Sequence, residues 1–200
     1  MPITGETEFF MKLRLSNIFR HLALVTRHRH AVFINCIKCG IPVRGLLHDL
    51  SKFSPTEFFE SARYYQGNRS PISACRRTTG VSRAWLHHKG RNRHHIEYWQ
   101  DDDAEKHPLM PYEFAVECVC DKIAATKTYL REAYNNEMPM VHWRTYGSKV
   151  RGNERTLAFV ERVFTDLSAH GEKFVLNKKY MKRTYAEVCL AEASKEDVAL

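Results

Sequence analysis

Two hundred residues, 44% hydrophobic and 27% charged, are ordinary for one globular domain and enough to bury a sizeable core. No apolar run approaches the ~20 residues a membrane span needs, so no membrane partner is expected. The net charge of +8 favours an anionic partner, and the charge-interrupted start MPITGETEFFMKLRLSNIF lacks a signal-peptide layout, which makes the cytoplasm the expected compartment.

Residues 1–15 form an N-terminal segment. Apolar spacing then predicts a helix over 16–39, stopped by Gly40. Pro42 opens a short helix through PVRGLLHDL. Ser54-Pro55-Thr56-Glu57 carries the start signals of a third helix over 54–66, with Glu57 read as the capping-box partner of Ser54. GNRSP breaks it. A helix over 81–88, the polar turn KGRN and a second short helix RHHIEYW follow. An acidic loop over 101–106 leads to a long helix from PYEFAVECVCDKIAA to about residue 136. MPMVHWRTYGSKVRG reads as a loop, and Asn153 caps a helix ended by Gly171.

The chain therefore reads as all-α. Its core is expected over 16–135, with a C-terminal helical extension packed on it over 136–190 and a frayed tail over 191–200. The basic region after Gly171 is read as an extra helix or a homodimer contact. Cys36-x-x-Cys39 lacks the second pair a zinc site would need, and it lies near a helix end. These thiols, and Cys118 and Cys120, are expected to be structural.

Eleven histidines are scattered through the interior of the chain. His28 on one helix, the doublet His48-Asp49 at the end of the next, the segment HHKGRNRHH and Asp121 within an apolar helix make an ordered series. Mixed imidazole and carboxylate donors suit Mn, Fe, Zn or Co better than a thiolate site does. Separate helices can each project one or two such ligands inward. A buried, unpaired Asp121 costs several kcal/mol, so it needs a partner, with Lys122 or Lys127 as the ordinary alternatives to a cation.

In this order the residues resemble the HD-domain superfamily of metal-dependent phosphohydrolases over roughly residues 16–135. HDLSKF is similar to the H-D-x-x-K form common there. HDLSKFSPTEFFESARYYQGNRSPI followed by AWLHHKGRNRHHIEYW resembles a group of short bacterial and phage proteins with an HD-like core. The resemblance implies an HD-like helical bundle in which His28, His48, Asp49 and Asp121 hold one divalent metal. Asp49 would bridge to a second ion held by His88 and one of His94 or His95. His30 and His87 are fallbacks for His28 and His88, and His21 is a packing or supporting residue.

The implied reaction is hydrolysis of a nucleotide or other small phosphate ester by metal-activated water. Asp49 and Lys52 would be catalytic, and Lys52, Lys89, Arg91 and Arg93 would bind the anionic substrate. The same ligand order resembles HD-fold di-iron oxygenases, which is the first alternative. A non-catalytic nucleic-acid or regulatory module is the second, and it is less favoured because the chain carries no recognised nucleic-acid-binding signature.

Overall fold

The computed structural model describes residues 12–101 and 106–191. The described residues form an all-α protein without strands. Helix α1 spans Leu15–Lys38, and its buried residues His21, Leu24, Val25, His28, Val32, Asn35 and Cys36 recur at helical spacing as one stripe. Its end is set by Gly40, whose φ of 77° lies in the left-handed region that glycine enters freely. Helix α2, Pro42–Leu47, folds back on α1 at Gly45. A side chain there would bring its Cβ to 2.7 Å from Cys36 Cβ and 3.0 Å from the Phe33 backbone.

The expected helix through PVRGLLHDL stops at Leu47, because the doublet leaves helical geometry. His48 adopts φ −52°, ψ 128° and Asp49 the left-handed φ 52°, before a short 3₁₀ turn over Leu50–Phe53. Arg29 pins this break by donating to the carbonyls of His48 at 2.7 Å and Leu46 at 2.9 Å. Across the break Leu46 and Leu47 are exposed while His48 and Asp49 are buried.

Helix α3, Pro55–Arg63, starts at Ser54, whose Oγ accepts from the Glu57 N–H. Helix α4, Pro71–Thr79, lies where sequence reading placed no element; Pro71 suits its first turn and Gly80 ends it at φ 79°. Helix α5, Arg83–Lys89, is tied to α3 by Glu60, which accepts from Ser82 Oγ and from the N–H groups of Arg83 and Ala84. RHHIEYW is not a full helix: only Ile96–Trp99 forms a 3₁₀ turn, and His94 and His95 precede it in irregular backbone.

Helix α6, Tyr112–Leu130, runs through the centre of the molecule. Helix α7, Met138–Tyr146, replaces the loop expected there, with Pro139 accommodated in its first turn. Helix α8, Glu154–His170, is capped by Asn153, which accepts from the N–H groups of Arg155 and Thr156. Helices α9, Glu172–Val175, and α10, Lys178–Tyr185, lead into a π-turn over Ala186–Leu190. Val175, Met181 and Cys189 from this region share one apolar core with Val119 and Ile123 of α6 and Phe159 and Phe164 of α8. The frayed tail expected after residue 191 lies outside the described residues.

All six cysteines are buried free thiols, and burial pushes the Cys118 thiol up to about 12. Among the described residues no helix is long and apolar enough to cross a membrane.

Candidate metal centre

The break after α2 turns the Asp49 carboxylate into the interior, and residues from four other segments meet it there. On its Oδ2 side lie His48 Nε2 at 3.2 Å and His28 Nε2 of α1 at 3.8 Å. Asp121 of α6 closes this group, with Oδ1 at 3.0 Å from His28 Nε2 and 3.6 Å from His48 Nε2. On the Oδ1 side lie His88 Nε2 of α5 at 3.3 Å and His94 Nε2 at 3.5 Å. His95 joins this second group, and in each group one ligand-type atom per residue lies within 4.8 Å of all the others. Asp49 belongs to both groups.

The atoms facing these two points are short of partners. His28 Nε2, His48 Nε2, both Asp49 carboxylate oxygens, His94 Nε2 and His95 Nε2 are buried and make no hydrogen bond. Their close approaches have ion-pair distances without hydrogen-bond alignment, as donors aimed at a common centre do. Leaving even one such group unsatisfied costs ~1–3 kcal/mol, so six in one cluster fit a bound cation far better than a plain core. One ordinary salt bridge reaches the cluster, from Lys52 Nζ to Asp49 Oδ2, and it leaves the other five atoms without a partner. Lys127 pairs with Glu172, and Lys122 lies 5.5 Å from the Trp143 ring centre.

A second layer fixes the imidazoles. Glu117, fully buried on α6, accepts from His48 Nδ1 at 2.9 Å and His94 Nδ1 at 3.1 Å, and from Arg44 at 2.7 Å. Burial alone would raise its pKa, but the hydrogen bonds from His48 and His94 and their charges hold it at about 2. An ionised carboxylate can only accept, so a ring proton must sit on each Nδ1, and each Nε2 faces the centre, able to bind a cation once it carries no proton. Glu57 does the same on the other side, accepting from His88 Nδ1 at 2.7 Å and His87 Nδ1 at 2.6 Å. Asn92 secures His88 further by donating to its carbonyl at 2.8 Å and to Ser51 Oγ at 2.7 Å.

The electrostatics are those of a negative nest. Burial opposes the Asp49 charge, but His48, Lys52 and His88 hold its carboxyl well below the usual range. Asp121 is lowered despite burial by the imidazoles of His28 and His48 beside it. Burial disfavours the His48 cation, and Asp49 with Asp121 more than offsets it, raising this pKa well above 6.5. His95 moves the other way, lowered by burial and then by His94 and His88.

The structure thus brings together His28, His48, Asp49, His88, His94, His95 and Asp121, both candidates 94 and 95 included. Lys52 Nζ lies 2.5 Å from Asp49 Oδ2 with a quarter of its side chain exposed, so it stands at the mouth of the centre. His30 is exposed and outside the cluster, His87 serves Glu57, and His21 packs on Phe58 and Tyr65. The anion-binding set fares differently. Arg91 is exposed and donates to the His87 carbonyl, while Arg93 lies over the Tyr98 and Phe114 rings. Lys89 is half-buried at the end of α5, and no ion pair joins any of these three to the cluster carboxylates.

Sequence reading missed Glu117 and misassigned Glu57. Ser54 caps α3 as expected, but the Glu57 carboxylate holds two imidazoles instead of returning to the cap. The signal for Glu117 was present: it precedes Asp121 by one helical turn in the same apolar run.

Fold and site together define an all-α protein built around a buried histidine–carboxylate cluster that could hold a metal. The chain belongs to the family of unknown function DUF5662, whose model matches residues 17–166. No curated protein and no solved structure matches it.

Proposed function

We propose that the protein is a metal-dependent phosphohydrolase with an HD-like dinuclear centre, acting on a nucleotide or other small phosphate ester. One observation carries this reading: the two oxygens of Asp49 are buried and face two separate nests of imidazole, with Lys52 beside Oδ2 as the one lysine or arginine among the described residues that pairs with them. A bridging carboxylate between two divalent ions has that geometry. His28, His48, Asp49 and Asp121 would hold one ion, and Asp49, His88, His94 and His95 the other.

Such cations supply Lewis acidity and lower the pKa of water toward neutrality. The chain's own groups do the rest. Glu117 and Glu57 keep protons on Nδ1 of His48, His94 and His88, so the opposite ring nitrogens stay available. Lys52, held at the rim by Asp49, is placed to donate to a phosphoryl oxygen and offset charge as the ester bond breaks.

The test is elemental analysis of the purified protein combined with a screen of phosphate esters. About two ions per chain with ester turnover supports the proposal. Two irons with a visible-region absorption and no ester turnover would transfer the site to the oxygenase reading. A metal-free protein with salt-sensitive duplex binding would point to a binding module.

A further inference from the structure

Where α1 meets the turn after α6 lies an open pocket of about 370 Å³ whose lining includes Arg20, Arg27 and Arg131. Arg20 and Arg27 are two turns apart on one face of α1. Arg131 directly follows α6 and adopts φ 50°, ψ −116°, a conformation that non-glycine residues avoid. Tyr65 and Gly67, from the segment after α3, form the opposite rim. Among the described residues no acidic side chain pairs with any of the three arginines. Three guanidinium groups around one depression, none paired with a described acidic side chain, favour an anion that accepts their N–H groups.

The pocket is not remote from the centre. Arg27 adjoins His28 in sequence, and the Tyr65 ring lies 6.2 Å from that of His21, one face of α1 away. Asp121 meets His28 while Arg131 meets Arg20, so α6 runs antiparallel to α1 and both helices join the two places. Along α1 the far end of the pocket, at Arg20, is ~12 Å from His28. A small molecule can bridge that distance, and a pocket of this size falls within the range of small-ligand sites.

We infer that the arginine pocket is a second anion subsite, which holds a further phosphate group of the substrate whose reacting phosphate sits at the metal centre. The substrate class is then a small organic bisphosphate rather than a monoester. The inference rests on the proposed phosphohydrolase reading for the role of the ligand, but the pocket's affinity for phosphate is testable without it.

The experiment is calorimetric titration of the full-length, as-purified protein with a nucleoside 3′,5′-bisphosphate, the matching 5′-monophosphate and inorganic phosphate. The bisphosphate is expected to bind at least tenfold more tightly than the monophosphate. The surface double variant Arg20→Gln/Arg27→Gln is expected to erase that difference, and Arg131→Gln to reduce it. Chelator-treated wild type should still bind inorganic phosphate, and the double variant treated the same way should not. Equal affinities of the two nucleotides in the wild type, or an unchanged preference in the double variant, would overturn the inference. Loss of all phosphate binding on chelation would also overturn it, since the anion would then bind only at the metal centre. A failure of the phosphohydrolase reading shows separately, as absent metal or absent ester turnover, and leaves these affinities to decide the pocket.

Discussion

Replacing Glu117 by glutamine probes the centre without touching either of the two groups that share Asp49. The carboxylate is fully buried and accepts from His48, His94 and Arg44 at 2.7–3.1 Å. Its pKa falls from 4.5 to about 2, and at 1.4 kcal/mol per tenfold that corresponds to ~3 kcal/mol of interaction with the ionised form. A glutamine keeps the shape but turns an NH₂ group toward one of the donors. Facing an imidazole, that NH₂ requires Nδ1 to accept, which moves the ring proton to Nε2 and blocks the lone pair needed for a metal. Supporting carboxylates of this kind are worth ~10–100-fold in metal affinity. Glu117→Gln should therefore weaken metal binding by that factor in a chelator competition, and lower unfolding stability by ~2–4 kcal/mol, because Arg44 and two histidines lose a buried partner. Glu113→Gln, on an exposed position of the same helix, should change neither. Metal affinity within twofold of wild type in Glu117→Gln would refute the orienting role.

Lys52→Gln should leave two ions per chain in place while lowering ester turnover by roughly 10²-fold, measured as kcat at saturating metal; unchanged kcat would remove Lys52 from the chemistry. The raised pKa of His48 means that a cation must displace a proton there. Metal affinity should thus fall up to ~10-fold per pH unit below neutrality, seen by chelator competition at pH 8 and pH 6, whereas pH-independent affinity would contradict the imidazole ligands. His21 is held down from 6.5 to about 4 by burial, with help from Lys52. The fold prefers its neutral form, so its contribution is complete above the unfolded value of 6.5 and is lost as pH falls toward 4, by at most ~3 kcal/mol. Urea unfolding at pH 7.5 and pH 5 should show a smaller pH loss in His21→Phe than in wild type, and equal losses would refute this.

Helical periodicity made much of this legible. His28 falls on the buried stripe of α1, and Asp121 is an acid in an apolar helix, so both announced themselves as misplaced unless partnered. The doublet was visible for the same reason, although its geometry was not. A left-handed Asp49 at a helix break is a tertiary outcome, fixed by Arg29 and by the close approach at Gly45, and no local pattern specifies it. His94 and His95 entered as alternatives for one ligand position, through the resemblance carried by HHKGRNRHH. Their convergence on Asp49 depends on an irregular turn whose shape no periodicity encodes. Glu57 was hidden by a competing local rule, the capping box, which its backbone N–H satisfies while its side chain goes elsewhere. Helices α4 and α7 carry Pro71 and Pro139 in their first turns, where sequence reading took GNRSP as a break and MPMVHWRTYGSKVRG as a loop. The basic residues near the second histidine group looked like a phosphate clamp because they are adjacent in sequence; in the structure Arg91 donates to the His87 carbonyl and Arg93 lies over the Tyr98 ring.

The central claim is that Asp49 joins two metal positions, and metal stoichiometry by elemental analysis tests it most directly. The account predicts about two divalent ions per chain in the wild type, about one in His28→Ala or in His88→Ala, and a loss at both positions in Asp49→Ala, with helical content retained in each. A wild type that binds no metal, or an Asp49→Ala variant that keeps both ions, would contradict it.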